Sequence, residues 1–349
     1  MLTAALALAL TATASAGYGD VDEDGYPTWA ERSVHLWTNA ARVDPEGFAD
    51  EYPQAYEPCR FEDFTADEKT PKAPIYYDRN LNNAARFHSQ DMVDNNWFAH
   101  ESSDGTPFAE RLARFYDSGF VGENIAYGYP STYSAMFHGW MCSDGHRANI
   151  MTAGWTELGT GVVNTHYTQD FGGGAADSDG AVAMGVHEPG TATDSAEFLA
   201  DWQDDDAPSY LVVVIDGEPS ALSLAYGVAG QGIYAAEVEV APSDCHTYYF
   251  AWETTEGTLG TFPETGSYTY GVSCDDPHGW VDGQSGELGG GGGSGLGSGS
   301  GSGSGGAPGD GNLDTSDIRL IGCVTVPAGS APLGLLAIAG LAALARRRD

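Results

Sequence analysis

Between Trp29 and Cys142 the apolar residues fall at helical spacing, and from Glu157 onward they alternate as in strands. That order constrains the fold more than any other feature, because helices followed by strands close most readily as an α+β sandwich. The spacing predicts a first helix over Trp29–Val43, with Trp29, Ser33, Leu36, Trp37 and Ala40 along one stripe. Asp44-Pro45 ends it, since the residue before proline avoids the α region. Phe48–Lys72 reads as a loop. Asp78 caps a second helix reaching about Asn95, with Leu81, Ala84, Ala85, His88 and Met92 inward. His88 is expected to be a hydrogen-bonded core histidine. Phe108–Phe115 and Tyr133–Cys142 read as short helices, and Gly119–Ala126 as a lead into a loop. Glu157–Val163 and Tyr167–Phe171 read as paired strands.

Composition narrows the setting. Fifty acidic residues against 14 basic give a formal charge of −36, a field that repels phosphate backbones and makes nucleic acid an unsuitable partner. The five cysteines form no CxxC pair, so a zinc ribbon or thioredoxin-type site is not expected. By position alone, Cys59 pairs with Cys142 and Cys245 with Cys274, leaving Cys323; such bridges need an oxidising compartment. Leu2–Ala14 is an apolar run before Ala14-Ser15-Ala16, the pattern of a signal peptide over residues 1–16.

Residues 17–29 form an acidic segment. Asp20, Asp22, Asp24, Gly25 and Glu31 stand at the spacing of a calcium loop, with hard oxygens at alternate positions and glycine at the turn. Pro27 and the lack of a preceding helical pattern favour the other reading, an acidic mature N-terminus.

Beyond the helix-then-strand region, residues 173–207 read as an acidic, Gly-rich connector. Over 208–285, short strands separated by turns suggest an Ig-like β-sandwich, in which Trp252, Tyr248 and Tyr268 are expected in the core rather than on a glycan-stacking face. Residues 286–322 read as a Gly/Ser linker and 323–349 as a tail. Its apolar run, Ala331–Ala345, precedes Arg346-Arg-Arg348. As a helix that run spans roughly 22 Å, short of the ~30 Å hydrocarbon core of a membrane.

Several ordered motifs carry a resemblance. They are Asn39-Ala-Ala-Arg42, Leu81-Asn-Asn-Ala-Ala-Arg86, His88-Ser-Gln-Asp-Met92, Phe98-Ala-His-Glu-Ser102, Gly122-Glu-Asn-Ile-Ala126, Trp140-Met-Cys-Ser143, Gly145-His-Arg-Ala-Asn-Ile150 and Glu157-Leu-Gly-Thr-Gly161. Over about residues 30–172 the chain resembles a bacterial CAP (SCP-like) domain, the superfamily of cysteine-rich secretory, antigen 5 and pathogenesis-related 1 proteins. The resemblance implies a CAP-type α-β-α sandwich with a surface cleft. The expected architecture is therefore α+β, a CAP sandwich followed by an Ig-like all-β sandwich. Cys323 with the short apolar run and arginines is similar to the C-terminal sorting tail of myxobacterial surface proteins. That similarity implies processing near Cys323 and retention at the outer membrane or cell surface. A plain membrane anchor, a transmembrane segment, is the other reading.

The resemblance places His100, Glu123 and His146 in the cleft. The family's second glutamate falls at Ser143, a departure, and Glu157 is the acid that would substitute. His100 and His146 could hold zinc or another divalent metal, though two protein ligands imply weak binding. Either histidine with Glu123 could act as general acid and base. The chain contains neither HExxH nor GxSxG. Arg147 and Asn149 are expected to brace the site, and His166 is expected outside it. Three functions stay open: a secreted module binding a lipid, glycan or peptide; a hydrolase of peptide or cell-wall bonds; and a structural surface protein.

Overall fold

The computed structural model describes residues 17–50, 60–174, 180–284 and 319–326. The apolar runs Leu2–Ala14 and Ala331–Ala345, the Gly/Ser linker and Cys59 lie outside those residues. Among the described residues no helix is long and apolar enough to cross a membrane.

Helix α1 (Trp29–Val43) starts at a capping box. The Thr28 hydroxyl accepts from Glu31 N at 3.3 Å, and the Glu31 carboxylate accepts from Thr28 N at 2.8 Å, so two orphan amides are satisfied reciprocally. A short helix α2 (Pro45–Asp50), a 3-10 turn (Phe61–Asp63) and the two-residue strand β1 (Tyr76–Tyr77) follow. Helix α3 (Arg79–Asp94) is capped by Asp78, whose carboxylate accepts from Leu81 N at 2.7 Å. Then come α4 (Phe108–Leu112), β2 (Val121–Tyr127), α5 (Thr132–Ser134) running into a π-helical stretch (Ala135–Trp140), α6 (Asp144–Ile150), β3 (Glu157–Val163) and β4 (His166–Gly172).

The stretch Gly119–Ala126, expected to lead into a loop, is strand β2 from Val121. Gly122, Glu123 and Asn124 hide its strand character. They are tolerated because β2 is buried on both faces and its polar groups are partnered there.

The sheet runs β1-β3-β4-β2, with β1 parallel to β3 and the other pairs antiparallel. Helix α3 lies on one face, and α1 and α6 on the other. The close approach of α3 depends on glycine. A Cβ on Gly159 would stand 2.0 Å from Asn82 N, and one on Gly161 would stand 2.3 Å from the Ala85 carbonyl carbon. Both clashes are with backbone, which must move as a whole. Gly159→Ala is therefore expected to cost about 1–3 kcal/mol or more, as overpacking does. A fall in melting temperature checks it, and an unchanged melting temperature would show that α3 sits farther out.

Residues 173–207 do not act as a connector. They contain β5 (Val182–Pro189) and β6 (Ser195–Gln203). After them come β7 (Tyr210–Ile215), β8 (Glu218–Ala221), β9 (Ser223–Val228), β10 (Gln231–Glu239), β11 (His246–Glu253), β12 (Leu259–Phe262), β13 (Gly266–Tyr270) and β14 (Trp280–Asp282). One sheet is β5-β6-β10-β9; the other is β14-β13-β11-β7-β8, with β12 also on β11. The sheets face each other through Phe198 and Tyr248, 4.9 Å between rings, and Trp202 and Trp252, 5.9 Å. The β half is thus a two-sheet sandwich, but one not confined to 208–285: two strands of its first sheet precede residue 208. Trp252, Tyr248 and Tyr268 are core residues, as the sequence suggests. Cys245 and Cys274 form the expected disulfide. Cys142 is also disulfide-bonded.

The strands of residues 182–203 explain the burial of α1. Every residue from Glu31 to Val43 is buried, because the α-β-α sheet covers one side and the β5-β6-β10-β9 sheet the other. A helix buried all round must satisfy its polar groups internally. His35 Nε2 meets Ile75 O at 2.9 Å, and Arg42 Nη1 donates to Ile150 O and Thr152 O at 2.6 and 2.9 Å. Asn39 Nδ2 donates to Ile75 O and to Asp201 on β6. The N-terminal segment is absorbed as well. Tyr268 donates to Gly19 O at 2.6 Å, and Tyr18 donates to Ala183 O at 2.9 Å. The expected boundaries at residues 29 and 207 therefore cross one continuous core.

Finally, strand β15 (Arg319–Val326) pairs antiparallel along the whole outer edge of β2. Its backbone occupies residues expected to divide between linker and tail.

Candidate functional site

Glu123 lies at the centre of β2 and is completely buried. His100 Nδ1 approaches its Oε1 at 2.7 Å, and Arg111 Nη2 donates to its Oε2. Arg111 Nη1 also donates to the His100 carbonyl at 2.7 Å. One guanidinium from α4 thus holds both the carboxylate and the backbone of the histidine beside it. His88, on α3, donates from Nε2 to Ala99 O at 2.9 Å, and that nitrogen lies 4.0 Å from Glu123 Oε1. His88 is a core histidine, as expected, and also part of the charge environment of Glu123.

Asp170 completes the group. It stands directly opposite Glu123 in the β2–β4 ladder, so both side chains leave the same face of the sheet. Burial pushes the Asp170 carboxyl well above the usual carboxylate range, and the negative charge of Glu123 pushes it further. Burial also works to raise Glu123, but Arg111, then His88 and His100, outweigh it and hold the group low. The pair therefore divides its roles: Glu123 ionised, Asp170 neutral. Burial, the largest cause, drives His88 down to about 4, against the pull of Glu123.

His146 is positioned from the other face. Helix α6 lies on the side to which Asn124 points: Asn124 Nδ2 donates to His146 O at 3.3 Å and to Gln169 Oε1 at 3.0 Å. Asn149 Nδ2 donates to Asn124 Oδ1 at 3.0 Å and to Glu123 O at 3.3 Å. The His146 ring meets Ser143 Oγ through Nδ1 at 2.7 Å. Arg147 braces the helix through Met141 O at 2.9 Å and Glu68 Oε1 at 3.2 Å. Ser143, where the family's second glutamate would fall, is thus a hydrogen-bond partner of His146.

Glu157 shares the face of Glu123 and Asp170 but lies on β3, where its carboxylate takes the Tyr116 hydroxyl. Tyr116 in turn accepts from Gly174 N at 2.9 Å. Glu157 is therefore built into a separate contact. His166 stacks by Tyr127 at 4.4 Å between rings, outside this group.

Two metal expectations meet this geometry. Among the described residues no group of three or more His, Cys, Asp or Glu side chains is arranged to hold a metal ion. At His100 and His146, the adjacent carboxylate of Glu123 is already taken by Arg111 and His100 and adds no third donor to the two histidines. The calcium spacing at the N-terminus fails for a different reason. Asp20 accepts from Thr265 N and Oγ1 at 2.9 and 2.6 Å, and Asp22 accepts from Asp24 N and Tyr26 N at 3.1 and 2.9 Å. Asp24 is exposed, and Glu31 is the buried cap of α1. These four carboxylates anchor a turn and a helix start rather than converging on an ion.

Arg111 and Asp170 are not among the residues the motifs single out. Arg111 has a signal: it stands three residues after Phe108 and next to Leu112, on the inward face of α4. Asp170 has a weaker one, an acid within the strand pattern Tyr167-Thr-Gln-Asp-Phe171.

A mixed sheet between α3 on one face and α1 and α6 on the other, with a buried His–Glu–Arg group on β2, defines an α-β-α sandwich. Residues 20–173 match the model of the family described as "CAP: Cysteine-rich secretory protein family", and this segment is a CAP (SCP-like) domain. Two curated relatives, both from Bacillus subtilis (strain 168), are similar. "Uncharacterized membrane protein YlbC" is 38% identical over 100 residues, covering 28% of this chain and 29% of the relative. "Uncharacterized protein YkwD" is 37% identical over 107 residues, covering 30% of this chain and 41% of the relative. The chain thus spans well under half the length of either. Among solved structures, an extracellular protein containing a SCP domain from Bacillus anthracis str. Ames is 37% identical, with a TM-score of 0.28, over 29% of this chain and 34% of that one. An outer surface protein from Borrelia burgdorferi is 19% identical, with a TM-score of 0.26, over 28% of this chain and 76% of that one.

Proposed function

We propose that this is an exported, surface-retained CAP-domain protein whose cleft beside β2 binds a lipid, glycan or peptide ligand. The observation that carries the binding reading is the saturation of Glu123. Buried and held ionised by Arg111 and His100, this carboxylate is built to orient His100 rather than to exchange protons during turnover. A general base works best with a pKa near the working pH, and Glu123 is held far below it. Export is supported by the Cys245–Cys274 bridge, which needs an oxidising compartment, and by the apolar run Leu2–Ala14. Retention is supported by the apolar run and arginines of the tail, with Cys323 as the processing position.

The hydrolase reading keeps one specific observation, the Ser143–His146 contact at 2.7 Å. The test is turnover by the purified full chain on peptide, ester and peptidoglycan substrates, in parallel with His146→Ala and His100→Ala. Background rates for all three proteins are expected. A rate above background that His146→Ala removes, with folding intact, would replace binding by hydrolysis.

A further inference from the structure

Strand β2 carries Glu123, and its inner edge pairs with β4. Its outer edge would otherwise present a row of unpaired amides and carbonyls, which is a template for another strand. In this chain that edge is filled by β15. The pairing runs from Arg319 opposite Tyr127 to Val326 opposite Val121, with Val324 opposite Glu123. The register shifts between Ile321 and Val324, so a bulge containing Gly322 and Cys323 lies beside the Glu123–Ile125 stretch. β15 also runs against α6, the helix that carries His146. An extended segment therefore lies along β2 and against α6, the elements that bear the two motif signatures.

We infer that the outer edge of β2 is a strand-acceptor site: it takes an extended polypeptide by strand addition, and residues 319–326 are its occupant within the chain. The inference deepens the binding reading above, since it chooses peptide among the ligand classes. Main-chain hydrogen bonds supply affinity in such sites, and the pockets alongside supply selectivity. The occupant suits that mode. Arg-Leu-Ile-Gly-Cys-Val-Thr-Val is rich in β-branched residues and contains no proline. The site is also consistent with the saturated Glu123, since strand addition draws on backbone groups of β2 and leaves that carboxylate engaged. While β15 is in place a peptide from elsewhere is excluded, and displacing the segment opens the site.

Hydrogen–deuterium exchange on the full chain tests this. The comparison is with the full chain carrying Leu320→Pro, Ile321→Pro, Val324→Pro and Thr325→Pro. Adjacent prolines are used because neighbouring amides in a strand point to opposite sides, so each pair removes one amide facing β2. Alternate amides of Val121–Tyr127, those not pairing with β4, are expected to exchange at least about tenfold faster in the variant. Adding a synthetic peptide of residues 319–326 with Cys323→Ser is expected to restore their protection. The same peptide is expected to leave the unaltered chain unchanged. Equal exchange of these amides in the two proteins would overturn the inference. If the variant loses protection and the peptide does not restore it, peptide acceptance is overturned, while binding of a lipid or glycan by the cleft still stands.

Discussion

Replacing Arg111 by methionine is expected to cost about 3–5 kcal/mol, the range for removing one partner of a buried ion pair. The side chain makes two contacts that nothing else can replace. Nη2 donates to the buried Glu123 carboxylate, and Nη1 donates to His100 O at 2.7 Å. Methionine fills similar volume, so most of the loss comes from leaving Glu123 with His100 as its remaining close donor. Urea denaturation at neutral pH, extrapolated to water, measures it. The double variant Arg111→Met with Glu123→Leu supplies the internal check. Removing both charges relieves the uncompensated one, so the pair is expected to cost less than the sum of its single changes. Additive costs, or a single-variant cost below about 1 kcal/mol, would mean that the ion pair does not hold this site together.

The same residue shows how the sequence reveals this site and how it conceals part of it. His100, Glu123 and His146 are carried by short motifs, but the strand under Glu123 and the helix under His146 are not marked by them. Their chemistry depends on partners that no motif marks. Arg111 comes from α4, and Asp170 is joined to Glu123 only through the register of two strands. A one-residue change of register would turn Asp170 to the other face, and nothing local in the sequence fixes that register. Glu157 shows the converse: it lies on the right face, yet Tyr116 from a distant segment takes its carboxylate.

The fold divides in the same way. Helix α3 starts where its Asp78 cap predicts, α1 spans the residues its apolar stripe marks, and Gly159 and Gly161 sit at the contact between α3 and the sheet. Local signals of this kind are legible because capping and close backbone approach act over a few residues. The acidic stretch 173–207 is misleading because its glycines and aspartates surround two strands, Val182–Pro189 and Ser195–Gln203, that close over α1. The stripe Trp29, Ser33, Leu36, Trp37 and Ala40 describes a helix with one covered face. The polar residues between, such as His35, Asn39 and Arg42, look like its solvent side. They are buried instead, because a second sheet arrives from a distant part of the sequence.

That second sheet brings a carboxyl group into a dry interface, and the consequence is measurable. Asp201, on β6, is fully buried and accepts from Asn39; burial raises its pKa to about 8, against the hydrogen bond from Asn39 and the charge of Arg42. The folded state keeps the proton that the unfolded chain releases near the ordinary value of about 3.9. The stability contributed by this proton is therefore fully present below about pH 4 and is lost progressively as pH rises toward 8. Asp201→Asn keeps the shape and a carbonyl acceptor for Asn39 and removes the titration. The stability advantage of the variant over the parent is expected to grow by roughly 2–4 kcal/mol between pH 5 and pH 8. Comparing variant with parent isolates this group from others that titrate nearby. Glu188, raised to about 7 by burial, shares its sign, and His35, lowered to about 4 by burial, has the opposite sign, losing stability as pH falls from about 6.5 to 4. Both act equally in the two proteins and cancel in the difference. Denaturation midpoints from pH 5 to 9 read the effect directly. A difference that stays flat across that range would show that Asp201 is ionised in the folded protein, with Arg42 compensating its charge.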